Sequence, residues 1–357
     1  MRRGAAAFAA GLLAAWASAA QAQSDLLSVG TLHAEIDLRA SVVGGENGWL
    51  DGGFGKLREG GDRGDTAARL RIAAIDAAWT PTLAWGLSGL VSVTHQDGLD
   101  PDIDLNEAYL KYRTAPGPTR LTARAGVFWP PISLEHGGPM WTVEDSITPS
   151  AVNSWVGEEV KVMGGELTLD QRVGASEVGV TGALFRHDDT SGTLLSYRGW
   201  ALHDLRISAD GEVPLPPLSP MISPYQYDET TPFLELDGRS GYYARVEWRP
   251  PQPFAINVLR FDNGGDRLSS RDMQIAWRTR FWDIGAAGVS GRAHQPQGPG
   301  LVGQHPRRPG HAARHPRRCR LPRGLPAPQP RRRIGPRQRA LRLVRDSRQQ
   351  LPVRGRQ

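Results

Sequence analysis

The feature that most restricts what this chain can fold into is an alternation of apolar and polar residues with a period of two, which begins near Ser28 and recurs through most of the sequence. That is the period of a β-strand, whose side chains point in turn to opposite faces. Segments 28–41, 67–79, 83–95 and 103–113 follow it, the last reading IDLNEAYLKYR. In the cleanest case Gln274, Ala276, Arg278 and Arg280 fall on one face, and Met273, Ile275, Trp277, Thr279 and Phe281 on the other. Such strands approach the roughly 9–11 residues needed to cross a bilayer. Ten can be placed, the last ending near Asp283. The expected class is all-β, a transmembrane antiparallel β-barrel. A soluble sandwich would alternate in the same way, so the period alone does not choose between them.

The connections discriminate better. Trp79-Thr-Pro-Thr, Ala115-Pro-Gly-Pro, Gln171-Arg-Val-Gly and Pro250-Pro-Gln-Pro are short turns with breaker chemistry. Between them come longer excursions over 42–65, 96–102, 130–155, 187–237 and 263–270. Short connections on one side and long ones on the other are the asymmetry of outer-membrane barrels, with tight periplasmic turns and extended extracellular loops. Segment 193–207 contains strand-like pieces, but the alternation of loop lengths assigns it to a long excursion. Aromatics gather at strand ends, at Trp79 and Trp85, Phe128 and Trp129, Tyr242, Tyr243, Trp248 and Phe254, and Phe281 and Trp282. Interfacial girdles require such clusters, whereas core aromatics would sit in mid-strand.

Charge is divided unevenly. Residues 292–357 hold 18 Arg, one acid and no Lys, a net of +17; the whole chain carries +6, so residues 1–291 carry 6 − 17 = −11. The overall basicity therefore says nothing about nucleic-acid affinity of the body, and no nucleic-acid partner is expected. Residues 1–22 read as a secretory signal peptide: Arg2 and Arg3, an apolar run from Ala5 to Ala20, and a small-residue cleavage site at Ala20-Gln21-Ala22. The single cysteine, Cys319, supports no disulfide framework. The tail over 292–357 has no aromatic residue and is rich in Arg and Pro. It cannot bury a core, and it reads as disordered and out of frame. The expected organisation is a signal peptide (1–22), an outer-membrane β-barrel (23–291) and this tail.

The longest structured-looking interruption lies within GVFWPPISLEHGGPMWTVEDSITPSAVNSWVGEEVKVMGGE, residues 126–166. It leaves a strand at Pro130-Pro131, and extended alternation resumes at Val156. Loops of this length are usually functional. Residues 130–155, with Trp129, Glu135, Trp141, Glu144, Asp145 and Trp155, suit a constriction folded toward a lumen. A surface loop pinned by its tryptophans is the plainer reading. The order Gly-x-Phe-x-Pro-Pro-x-Ser-Leu-Glu, then Trp, Ser-Ile-Thr-Pro-Ser-Ala, Trp-x-Gly-Glu-Glu and Gly-Glu resembles an uncharacterised family of porin-type outer-membrane β-barrels of Gram-negative bacteria, distantly similar to phosphate-selective porins. Arg198-Gly-Trp-Ala-Leu-His-Asp, Gly241-Tyr-Tyr-Ala and Ala276-Trp-Arg-Thr-Arg-Phe-Trp extend the resemblance over roughly residues 26–285. It implies a longer parent with more strands and an aromatic C-terminus. This chain is therefore expected to be truncated or frameshifted, and to assemble poorly.

Nothing calls for catalysis, a cofactor or a metal. Glu158 and Glu159 are expected in a strand, pointing to opposite faces, and so cannot pair on one substrate. No His-x-x-x-His and no Gly-x-Ser-x-Gly occurs. Asp97, Asp100, Asp102 and Asp104 could gather around calcium but lack the order of an EF-hand, and a solvated acidic loop is the simpler reading. Arg69, Arg71, Lys111, Arg113, Arg124, Arg245, Arg278 and Arg280 are expected on the inner face, where cationic rings favour anions. Glu35, Asp37, Asp76, Glu107 and Glu247 lie among them, so a plain ladder of structural pairs is an equal reading. The function expected is passive diffusion of small hydrophilic solutes or ions through an outer-membrane channel. Its partners would be outer-membrane lipid and lipopolysaccharide, the barrel assembly machinery and two further copies in a homotrimer. The alternatives are a barrel with a structural or adhesive role, and a secreted β-sandwich binding carbohydrate through Trp141, Trp155 and Trp200.

Overall fold

A computed structural model describes residues 26–288, apart from Arg63 and Asp145. The signal peptide, the basic tail and Asp145 of the expected constriction lie outside the described residues. Ten long strands form one sheet: β1 (Leu32–Gly45), β2 (Gly64–Trp79), β3 (Leu87–Gln96), β4 (Asp104–Arg113), β5 (Thr119–Phe128), β6 (Val162–Val173), β7 (Ser176–Arg186), β8 (Gly241–Arg249), β9 (Phe254–Asp262) and β10 (Arg280–Gly288). Each pairs antiparallel with its neighbour in the chain, so the sheet is a meander without crossovers. A three-residue strand, Thr82–Ala84, adds to β3 beside the β2–β3 turn. No described helix is long and apolar enough to cross a membrane.

The loop asymmetry is present as expected. Because neighbours run antiparallel, the connections β2–β3, β4–β5, β6–β7 and β8–β9 all emerge at one end, and each is short. The five long excursions emerge at the other end. One strand is displaced from its expected position: residues 273–279 do not join the sheet. They leave a small hairpin, Ser270–Arg271 against Gln274–Ile275, and Trp277 and Thr279 bond to Asp189 and Asn263 instead. The tenth strand begins at Arg280, near the end of the segment expected to form it. Excursion residues compete with the sheet for the backbone groups of 273–279, and sequence period does not register that competition.

The expected resumption of strand at Val156 is also corrected, because Ala151–Glu159 is a helix, α1. Asn153 to Glu159 are all buried, so α1 shows no polar stripe from which a helical period could be read. Gly157 allows the burial, since a Cβ there would lie 2.7 Å from the Leu205 carbonyl oxygen. A second short helix, α2 (Thr193–Tyr197), lies within the longest excursion, where residues 193–207 were assigned.

The two faces of the sheet are inverted relative to a water-soluble sheet. On β7, Val180 and Leu184 are 50% and 68% exposed, whereas Thr181 between them is 5% exposed. On β6, Leu167 and Leu169 are exposed and Asp170 is buried; on β10, Trp282 and Ile284 are exposed and Asp283 is buried. Leu70, Val91, Val246 and Val258 continue the open apolar face, and Ser92, Glu247 and Asn257 the covered polar one. What covers the second face is the long excursions. Their packing forms a core with Phe128, Phe185, Tyr243, Leu259, Phe261 and Phe281 of the sheet against Ile132, Trp155, Val156 and Val160. A second cluster, Trp49, Trp129, Leu194, Leu205, Ile207, Val213 and Leu215, is drawn almost wholly from excursions.

Four aromatics expected in strand-end girdles thus belong to the core: Phe128, Trp129, Tyr243 and Phe281. Trp85, Tyr242, Trp248 and Trp282 do stand exposed at or near strand ends.

Candidate functional site

The covered face has two halves. At the loop end, α1 lies over the sheet, with the Trp155 ring edge-on to Phe281 at 5.6 Å. Its Nε1–H donates to Glu159 Oε2 at 2.5 Å, and the Leu194 backbone N–H donates to Glu159 Oε1 at 2.8 Å. Trp129 and Trp141 stack at 4.2 Å, and His136 stacks on the same Trp141 at 3.8 Å. Trp129 Nε1 donates to Asn106 of β4. Glu135 accepts the Ser150 N–H at 2.6 Å just before α1, while Glu144 is exposed. The residues expected in a constriction therefore divide. Trp129, Trp141 and Trp155 are structural rings within the excursion core, Glu135 braces the loop, and Glu144 alone faces solvent among those described.

Through this core runs the segment 198–207, extended beyond α2. The Arg198 guanidinium clamps Glu158 at 2.5 and 2.6 Å and lies 4.5 Å above the Trp49 ring. His203 Nδ1 accepts the Leu205 N–H, so the ring proton belongs on Nε2, which is 2.7 Å from Glu158 Oε1. Asp204 lies between Arg39 of β1 and Arg58 of the first excursion, at 3.0 Å from each. Arg206 donates to both oxygens of Asp76 on β2, at 2.8 and 3.1 Å, and to the Met140 carbonyl at 2.6 Å. Gln96 of β3 grips the Arg206 backbone twice, accepting its N–H and donating to its carbonyl. The segment is thus tied to three strands, α1 and two other excursions.

These buried charges are matched. Burial pushes the Glu158 carboxyl up, but His203 and Arg198 outweigh it and hold it at about 2. Burial likewise opposes ionisation of Asp204, and Arg58 and Arg39 overcome it to leave Asp204 below its ordinary range. Glu158 and Glu159 are adjacent in a helix rather than in a strand. They do serve different partners, but through helical geometry. Sequence reasoning missed Arg206, Asp204 and the Glu158–Arg198 pair; the only signal was a run of charges inside an otherwise apolar stretch.

The turn-end half is open. A recess of about 290 Å³ is lined by Lys111, Arg113, Arg120, Arg124, Glu166 and Arg245, among others. Arg124 binds Glu166 at 2.8 Å and covers the Phe128 ring at 4.0 Å; Arg245 pairs with Glu247. Lys111 and Arg113 face the recess, and neither is in an ion pair among the described residues. Nearer the loop end, Arg71 pairs with Glu59 and with Asp97 at 2.7 Å, and Arg69 lies 3.8 Å from Asp51. Arg278 is outside the sheet and holds Asp262 at 3.1 Å. Arg280 is on the same face as Trp282 and Ile284, so it is not an inner-face cation; the start of β10 at Arg280 sets that register. A second recess, about 540 Å³, opens between β1–β2 and the excursions, with Glu35, Asp37, Arg39, Glu59 and Asp204 on its walls.

No calcium cage forms from the Asp97–Asp104 run: Asp97 binds Arg71, and Asp104 accepts backbone N–H groups of Leu105 and Asp210. Asp189, Glu235 and Asp237 come together elsewhere, with oxygens within 4.8 Å of one another. Their oxygens accept the N–H groups of Leu236, Asp237, His187, Gly238, Arg239 and Asp266. This is stitching of loop backbone rather than a ligand set. Neither a protein-family model, a curated protein nor a solved structure matches the chain.

Proposed function

We propose that the ten-strand sheet curls into an outer-membrane β-barrel of porin type, with its apolar face in lipid and its polar face around a lumen that the long excursions narrow. The inverted faces carry this reading. A row of exposed Leu, Ile, Val and Trp over a sheet whose opposite face buries Asp, Glu, Asn and Thr is unfavourable in water and suited to hydrocarbon outside and a polar interior. Edge strands β1 and β10 would meet, since lipid tolerates no unpaired strand edge. Short turns at one end and long excursions at the other agree with a periplasmic and an external side.

In this reading small hydrophilic solutes or ions pass along the polar wall by way of the two recesses. The carbohydrate-binding sandwich loses ground, because Trp141 and Trp155 are stacked or buried inside the core. A non-channel barrel draws support from the dense excursion core, and conductance separates it from a channel. The membrane reading predicts that the full chain fractionates with the outer membrane and migrates faster on an unheated gel than after boiling; recovery as a soluble periplasmic species would reject it. In planar bilayers, discrete conductance steps are expected, and these should grow on deletion of residues 131–154, which roof the lumen. A silent bilayer with a folded, heat-modifiable protein would leave the structural barrel.

A further inference from the structure

We propose that Asp188 and Glu159 form a proton-held latch between the third and fourth long excursions, closed while the two buried carboxyl groups share a proton and released when that proton is lost. Asp188 opens the fourth excursion, directly after β7 and His187. It is only 2% exposed, and neither of its carboxyl oxygens has a hydrogen-bond partner. An ionised carboxylate in that position would be a buried, unsatisfied charge, among the costliest groups a fold can hold.

The ionisable groups bearing on Asp188 are Glu159 of α1 and its own neighbour Asp189, both acids. Glu159 is fully enclosed, and its oxygens are already engaged by Trp155 Nε1–H and the Leu194 N–H. The charged groups bearing on Glu159 are Glu158 and Arg198. That guanidinium is committed to Glu158 through two bonds, so it does not neutralise Glu159. Asp189 is bound by the N–H groups of Leu236 and Asp237, beside Glu235 and Asp237.

Two acids enclosed together with no free cation keep one or both protons. Burial raises Glu159 to about 7 and Asp188 well above the usual carboxylate range. The direction of the pH effect follows. A carboxyl whose pKa is raised by packing favours the packed state at low pH, and this contribution is lost as pH rises through the raised value. Loss of the proton leaves two like charges side by side in a dry site, relieved only by parting α1 from the chain at 188–194. The Glu159–Leu194 bond is broken in that movement. The whole 198–207 segment, which is tied to α1 through Glu158, is loosened with it. The neighbouring ion pairs do not oppose this, because Glu158 and Asp204 stay ionised across the same range.

The test is hydrogen exchange on the full chain in detergent micelles, corrected for intrinsic rates and followed between about pH 5.5 and 8.5. Protection of the amides of 193–207 should fall by about ten-fold per pH unit once the shared proton leaves, while wall amides such as Val180 and Val258 hold theirs. Asp188→Asn and Asp188→Ala should abolish that slope, the alanine variant serving if the asparagine repacks the site. Asp189→Asn should retain it. A flat profile in the wild-type chain, or the same slope in Asp188→Ala, would overturn the latch. Because exchange rather than conductance is read, a barrel that carries no current leaves this result intact.

Discussion

The two halves of the covered face are built from the same strands, yet they treat charge in opposite ways. At the loop end, Glu158, Arg198, Asp204 and Arg206 are enclosed by excursions, and each has a partner at hydrogen-bond distance. At the turn end, Arg120, Arg249, Glu177 and Asp170 form a looser, partly wet network, and Lys111 and Arg113 stand in no ion pair. The strands supply only an alternating polar face to both halves. What distinguishes them is whether an excursion returns to cover that face. Where one does, desolvation makes each charge demand a partner; where none does, water takes the partner's place.

The sharpest way to break this contrast is to remove one member of an enclosed pair. Glu158→Ala leaves Arg198 buried with its fork empty and should cost about 3–5 kcal/mol in denaturant unfolding. If Glu158 tolerates alanine as easily as an exposed residue would, the loop end is wetter than its packing indicates. Next, Gly157→Val drives a branched side chain into the Leu205 carbonyl and should cost about 1–3 kcal/mol by thermal unfolding, with the exchange protection of 198–207 reduced most.

Acid provides a graded version of the first test. Glu158 is held at about 2 against an ordinary 4.5, so its stabilisation is complete above pH 4.5 and is lost as pH falls toward 2. A pH titration of unfolding free energy should show that acid limb, and Glu158→Gln should flatten it. The smallest effect is expected at the turn end: Arg249→Ala removes a partly exposed group and should cost under about 1 kcal/mol, screened further by salt. A large loss there would mean that the turn end is as dry as the loop end.

Much of the wall could be read from sequence and little of the interior. Period two and breaker turns located β1 to β9 to within a few residues, because each strand pairs with its chain neighbour and local pattern is enough. The tenth strand was displaced because residues 273–279 have strand character but give their backbone groups to Asp189 and Asn263. In α1, Val156 and Val160 suggested a strand; enclosure on all sides decided for a helix, and no amphipathic stripe betrayed it. The inner-face cations were identified by alternation, with Arg280 the exception once the start of β10 fixed its register. Arg206 and Asp204 escaped altogether. Their partners, Asp76 and Arg39, lie 130 and 165 residues away, and local periodicity carries no information at that range.

Those separations also bear on the order of assembly. A meander closes only short loops, so wall formation is entropically cheap and can proceed hairpin by hairpin. The contacts of 198–207 with β1 and β2 span more than a hundred residues and need both partners already in place. Docking of the excursions is therefore expected to be the late, slow step, following a wall that is already paired. Time-resolved exchange should find β6–β7 amides protected before those of 198–207, and the reverse order would show that the interior guides the wall. An intermediate with a paired wall and undocked excursions would have its polar face open along the full length of the strands, a state in which the lumen is at its widest before the protein is finished.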